Sequence, residues 1–257
     1  MSTSEPTYQS KHPPFAVTVD LVVLALRPVE SADRAGRLGL DVVLIERGEA
    51  PHLGALALPG GFVHVDEDLE AAAYRELEEE TGLRPSDVRL AQLGAYGSPG
   101  RDPRMRTVSV AWLAFGRVDR TPHAGSDARA AHWLPADRLP ADLAFDHAKI
   151  LHDAVAQART QVQDVRVAAS FLPPVFTLSQ LRRVYEAVWG LELDAPNFQR
   201  RILALTGGAA GDQRPLLRTE ADGIVDTTTS RRSKHVLKLN PRAHDLPTQS
   251  CRFDLPR

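Results

Sequence analysis

The stretch GFVHVDEDLEAAAYRELEEETGL, Gly61 to Leu83, decides how the first half of this chain folds. Pro59, Gly60 and Gly61 end any preceding strand, Asp66 and Asp68 place negative charge where a helix N-terminus is electropositive, and Gly82 stands where a left-handed C-cap belongs. The pattern predicts one helix over about Leu69 to Thr81. At 3.6 residues per turn, Leu69, Ala73 and Leu77 form a stripe that must face a core. Glu80 falls on that stripe, Glu76 beside it and Glu79 on its far flank, while Glu78 points away. A solvated acidic face would cost only about 0.2–0.5 kcal/mol per like-charged pair, so energy alone does not exclude one. Geometry argues harder, because a carboxylate at the buried edge of a helix is costly unless paired, hydrogen-bonded or bound to a cation. Arg75 lies four residues before Glu79, good spacing for an ion pair.

Converging oxygens without Cys or His nearby suit a hard dication, Mg²⁺ or Mn²⁺, better than zinc, and Mg²⁺ held by few carboxylates usually shares a phosphate. The stretch resembles the Nudix box. Gly61, Glu67, Arg75, Glu76, Leu77, Glu79, Glu80, Gly82 and Leu83 occupy every fixed position of that motif. The resemblance implies a sheet-and-helix sandwich that cleaves nucleoside diphosphates linked to another moiety. It makes Glu76, Glu79 and Glu80 the catalytic and metal-holding residues with Glu67 in support, and Gly61, Arg75 and Gly82 the residues that shape the motif.

A chain of 257 residues favours two domains, and 43% hydrophobic residues can build a core. The formal charge of −2 excludes no partner, since opposite local balances can hide within it. One cysteine, Cys251, excludes an internal disulfide framework and fits a reducing cytosol. Met1 to Pro14 lacks an apolar signal region, and no apolar run approaches the eighteen or so residues of a membrane span. The expectation is a cytoplasmic protein with a disordered start over residues 1–14 and no membrane partner.

Phe15 to Leu26 and Leu40 to Glu46 read as strands separated by a polar loop, and Leu53 to Leu58 is a short apolar run entering the glycine turn. Val88 to Tyr96 and Thr107 to Val118 read as two more strands, followed by a helix from about Asp146 to Val162. Together these predict an α/β chain, a Nudix-type α/β/α sandwich over residues 15–164. Between the later strands, prolines and glycine fix a turn that carries Arg101, Arg104 and Arg106. It is either a solubilising loop or a clamp for a diphosphate, a task to which guanidinium is suited. A similar loop, with the segment Leu143 to His147, occurs in Nudix proteins that act on or bind ADP-ribose. On that resemblance Arg101, Arg104, Phe145 and His147 bind the substrate, Phe145 by stacking on a base and His147 by acid-base or hydrogen-bonding roles. Equally, Asp146 can simply cap the following helix.

From about residue 165 the character changes. Pro173-Pro174 marks a linker, assigned to 165–175, and Thr177 to Gln180 has capping-box spacing. A helix with Leu181, Val184, Tyr185 and Val188 on one stripe stops at Gly190, and a second starts near Pro196 with Phe198, Ile202 and Leu205 inward. Two helices joined by a brief turn match a helix-turn-helix. Short strands at Leu216 to Thr219, Ile224 to Thr227 and His235 to Leu239 complete a smaller winged helix-turn-helix domain over 176–242, with a tail over 243–257. Between Phe176 and Arg242 eleven Lys or Arg face seven Asp or Glu, an excess of 11 − 7 = +4 against −2 for the whole chain. That asymmetry suits DNA. Asn197, Gln199, Arg200 and Arg201 are the groove-facing candidates, and Arg231, Arg232 and Lys234 the phosphate contacts.

The combination, with Phe176-Thr177-Leu178, Val184-Tyr185-Glu186 and Asn197-Phe198, resembles the Nudix-related transcriptional regulators of bacterial NAD metabolism. The resemblance implies a homodimer on a two-fold operator, repressing NAD-metabolism genes, whose Nudix domain binds ADP-ribose or a related nucleoside diphosphate and can also hydrolyse it. Ala195-Pro196 and the wing Arg231-Arg232-Ser233-Lys234 depart from the family pattern. The alternative is a Nudix pyrophosphohydrolase, converting ADP-ribose to AMP and ribose phosphate, with the winged helix as a dimerisation or partner module.

Overall fold

The computed structural model describes residues 11–29, 37–118, 121–122, 128–139, 142–204, 217–219, 236–239 and 251–254. Strand β1 (Ala16–Pro28) runs parallel to β6 (Thr107–Phe115) and antiparallel to β2 (Leu38–Arg47). A seven-stranded sheet follows in the order β3-β2-β1-β6-β5, with β3 at Leu56–Ala57 and β5 at Arg89–Tyr96. β4 (Gly60–Phe62) joins β1, and β7 (Ala128–Pro135) joins β2. β7 escapes the sequence because ARAAHWLP contains no β-branched residue.

Strand periodicity splits the core into two layers. Leu21, Val23 and Ala25 of β1 pack with Ala72, Ala73 and Leu77 of helix α1 (Leu69–Thr81). Val22 and Leu24 point to the other face, where they meet Ile150, Leu151 and Ala154 of α2 (His147–Gln161). The sandwich expected from the sequence is therefore present, one helix on one face and α2 on the other.

The second layer does not stop at α2. The stretch 165–175, expected as a linker, contains helix α3 (Val165–Ala169), whose Val165, Ala168 and Ala169 are buried along with Phe171. Its apolar spacing makes it packing material that the Pro173-Pro174 signal conceals. Strand β8 (Val175–Thr177) leads into α4 (Leu178–Trp189), capped by the reciprocal Thr177–Gln180 pair and closed by Gly190 at φ 71°. α5 (Ala195–Ala204) follows, and β8, β10 (Val236–Leu239) and β9 (Leu217–Thr219) form a three-stranded sheet. The strand expected at Ile224 to Thr227 lies outside the described residues. The tail is also not all tail: Cys251 and Phe253 are buried in the same core as α4 and α5.

Candidate functional site

The glycine turn packs closely on both α1 and β1. A Cβ on Gly61 would lie 2.2 Å from Glu76 Oε1, and one on Gly60, whose φ is 153°, would lie 2.1 Å from the Val19 carbonyl. The Gly60 amide donates to Glu80 Oε2 at 2.7 Å. α1 begins at Asp68, which accepts from the Ala71 amide, and ends at Gly82 with φ 69°. Glu76 is buried, Glu80 half-buried and Glu78 exposed, as the helical spacing requires.

Arg75 sits where the acidic residues meet. Its guanidinium donates to Glu67 at 2.6 and 3.0 Å, to Glu76 at 2.7 Å and to Glu79 at 3.0 Å. The Arg75 bonds and the His64 amide hold the Glu67 carboxyl down at about 2, whereas burial pushes Glu76 up against its bond to Arg75. The donor set is right in kind for a hard dication. As they stand, Glu67, Glu76 and Glu79 converge on the Arg75 guanidinium and Glu80 on the Gly60 amide, and among the described residues no three acidic, His or Cys side chains are gathered around one point.

Beside this turn lies a cleft of about 150 Å³ between β1, the start of α2 and the loops after β2 and β5. Beneath it runs a buried charge network. Arg101 is 4% exposed and donates to both oxygens of Asp146 at 2.7–3.1 Å and to Asp20 at 2.9 Å. His147 is also buried. Its Nδ1 accepts from the Leu58 amide at 2.8 Å, which places the ring proton on Nε2, 3.4 Å from Asp20. Arg101 and His147, both expected to bind substrate, do line the cleft; the Arg101 fork grips two carboxylates and both His147 nitrogens are engaged. Asp146 makes no side-chain cap to α2 and instead anchors Arg101.

The cleft's own surface is cationic and aromatic. Arg104, bonded to buried Asp102 at 2.8 Å, lies 5.4 Å from the Phe62 ring and 5.9 Å from the Phe145 ring. Arg47, which the sequence did not suggest, lies 4.9 Å from the Phe145 ring and donates to the Pro51 carbonyl at 2.8 Å. Burial, and then repulsion from Arg104, push the Arg47 guanidinium below its ordinary pKa, so a nearby anion would favour its charged form. Phe145 takes φ 55° and meets the ring of His52, itself at φ 63°, at 4.7 Å. Left-handed backbone at bulky residues is strained, and such strain concentrates at ligand sites. The buried hydroxyl of Thr18, also lining the cleft, has no partner among the described residues. Arg47 was missed because it ends an ordinary strand, where an arginine carries no local signal.

In the second unit, α5 presents Gln199 and Arg200 outward, while Phe198 and Ile202 face in. Asn197 is half-buried and accepts from Arg200 at 2.8 Å. Arg201, expected to face DNA, is instead held by the C-terminal segment: it donates to the Asp254 carbonyl at 2.8 Å and lies 4.5 Å from the Phe253 ring. Arg231, Arg232 and Lys234 lie outside the described residues.

Residues 26–154 match the NUDIX domain and residues 168–206 the NrtR DNA-binding winged helix domain. The chain is 32% identical over 198 residues to the ADPR responsive transcriptional repressor NtrR of Acinetobacter baylyi, covering 76% of this chain and 75% of that protein. It is 41% identical over 130 residues to the ADP-ribose pyrophosphatase of Methanocaldococcus jannaschii, covering 51% of this chain and 75% of the relative. The structure of Shewanella oneidensis NrtR complexed with a 27mer DNA superposes with a TM-score of 0.66 at 26% identity, over 92% of this chain and 97% of that one. With a Nudix sandwich, an NrtR-type winged helix and a repressor relative matched across three-quarters of both chains, this protein belongs to the NrtR-type Nudix family.

Proposed function

We propose that this chain is a DNA-binding transcriptional repressor whose grip on its operator is set by ADP-ribose held in the cleft. One observation carries it: the cationic, aromatic cleft opens at the start of α2, and the far end of that helix is bonded to the winged helix. Arg159 Nε donates to the Val188 carbonyl at 3.2 Å, and Trp189 Nε1 returns a bond to the Arg159 carbonyl at 2.9 Å. In this function Arg47 and Arg104 take the diphosphate, Phe145 stacks on the base, and the Asp20–Arg101–Asp146–His147 network holds them in place. Asn197, Gln199 and Arg200 face the groove, with Arg231, Arg232 and Lys234 as phosphate contacts. The NtrR relative is named as responsive to ADPR and the NrtR structure contains DNA, which supports both halves. The finer parts of the proposal are a cytoplasmic homodimer, a two-fold operator near genes of NAD metabolism, and no membrane partner. No helix among the described residues is long and apolar enough to cross a membrane.

The test uses a labelled duplex selected by the full chain from a randomised pool. Adding ADP-ribose should release it in fluorescence polarisation. Calorimetry that registers ADP-ribose binding without any release of duplex would refute the coupling.

The filled Nudix box and the 41% identity to an ADP-ribose pyrophosphatase favour a second, compatible activity, slow hydrolysis of the effector with Mg²⁺ or Mn²⁺. Glu76, Glu79 and Glu80, with Glu67, are the residues proposed for it, and a bound ion would supply charge neutralisation at the diphosphate. Incubation with ADP-ribose and either metal should yield AMP. Absence of AMP from folded, ligand-binding protein rules this activity out for that substrate.

A further inference from the structure

We infer that Phe253 is a positioning residue for DNA binding: the segment Cys251–Asp254 straps helix α5 in place and takes Arg201 out of the set of residues that meet DNA. The inference rests on the DNA-binding function proposed above. α5 is ten residues long and buries only Phe198 and Ile202. A helix that short is marginal by itself, so its direction must come from what it packs against. Part of that surface comes from the far end of the chain. Phe253 is 3% exposed, its ring 4.8 Å from Tyr185, 5.1 Å from Phe198 and stacked on Trp189 at 6.1 Å. The ring thus joins α5 to both the middle and the end of α4.

The strap's backbone is fixed as firmly as its ring. The Phe253 amide donates to the Gln163 carbonyl at 2.6 Å, Arg252 pairs with Asp164 in an antiparallel bridge, and Cys251 is fully buried. Arg201 closes it from outside, over the Phe253 ring and onto the Asp254 carbonyl. An arginine held this way keeps its charge but gives up its reach. Gln199 and Arg200 stay outward, and a strap that fixes Arg201 also fixes the angle at which these two leave the helix. The match to the winged-helix domain ends at residue 206, so the strap lies beyond it.

The test measures affinity for the selected duplex against salt, with full-length wild type, Phe253→Ala, Phe253→Leu, Arg201→Ala, the Phe253→Ala/Arg201→Ala double variant and Arg200→Ala. Each Lys or Arg charge removed from the DNA interface, where it displaces counterions, lowers the slope of log affinity against log salt by about 0.9. Arg200→Ala should lower it. Arg201→Ala should weaken binding with the slope unchanged. If Phe253→Ala leaves α5 docked in about one molecule in ten, apparent affinity falls about tenfold, again with the slope unchanged. The Phe253→Ala and Arg201→Ala losses should not add, because both release the same strap. ADP-ribose titration of each variant reports on the integrity of the Nudix unit. Should Phe253→Ala fail to fold, Phe253→Leu, which keeps bulk and loses the ring face, should still weaken duplex binding with an unchanged slope. A slope lowered by Arg201→Ala, or wild-type affinity in folded Phe253→Ala or Phe253→Leu, overturns the inference alone. A wild-type chain that binds no duplex overturns the DNA-binding function and the inference together.

Discussion

Arg101→Met separates a ligand-gripping arginine from one that holds the cleft together. The side chain is 4% exposed, and its guanidinium is the shared counter-charge of Asp20, 8% exposed, and Asp146, 21% exposed. Methionine fills much of the same volume and donates nothing. Removing one partner of a buried ion pair costs about 3–5 kcal/mol. At about 2–4 °C per kcal/mol for a chain of this size, the melting temperature should fall by about 6–20 °C. The pH dependence gives a second signature. In the wild type, burial raises the Asp20 carboxyl, but His147 and Arg101 outweigh it and hold the group at about 2. A pKa depressed on folding adds stability that is complete above the unfolded value of about 3.9 and is lost as pH falls through about 2. Without Arg101 one of the influences that lower Asp20 is gone, so its folded-state pKa moves up towards the unfolded value and less of this stability remains above it. The deficit of the variant should therefore be largest at pH 7 and narrow by about pH 2 in urea denaturation. A variant that unfolds like wild type at both pH values yet no longer binds ADP-ribose would refute this account and make Arg101 a ligand contact.

Four further outcomes follow from the structure. Arg47→Ala should lower ADP-ribose affinity about tenfold, the loss of one charge-assisted contact worth about 1.5 kcal/mol or more, with a melting temperature close to wild type; calorimetry beside a thermal melt checks both. Gly60→Ala, which drives a Cβ onto the Val19 carbonyl at a φ of 153°, should destabilise by more than about 3 kcal/mol. Gly61→Ala meets only the carboxylate end of the Glu76 side chain and no backbone, so it should destabilise less while prising that carboxylate from Arg75; urea midpoints rank the two. Thr177→Ala removes one half of the capping box and should cost about 1 kcal/mol, seen as faster amide exchange at the first turn of α4.

The sequence reads best where structure is local. Helix α1 is set by Asp68 at one end, Gly82 at the other and a four-residue stripe between them, all within one stretch of chain. The burial of Glu76 and the Arg75–Glu79 pair follow from the same spacing. α4 is legible for the same reason, from its capping box to its terminal glycine. Legibility fails where short-range signals mislead. Pro173-Pro174 suggests a linker, yet α3 before it is core, and the alanine-rich β7 has no strand signature although β2 pairs with it along most of its length.

By itself the sequence determined the Nudix helix, the sandwich, the helix pair that follows and the family, because caps, glycines and apolar periods act over a few residues. Tertiary structure alone decided what each charge does. Arg101 and Arg104 look alike in sequence, but Arg101 meets partners 45 and 81 residues away and is paired with them. Arg47 enters the cleft only because β2 ends there. Arg201, one of a run of outward-reading residues in sequence, is met by a carbonyl 53 residues later that folds back onto it. A guanidinium's role depends on which carboxylate, carbonyl or ring lies within about 3–6 Å of it, and distant segments reach such distances only through the fold.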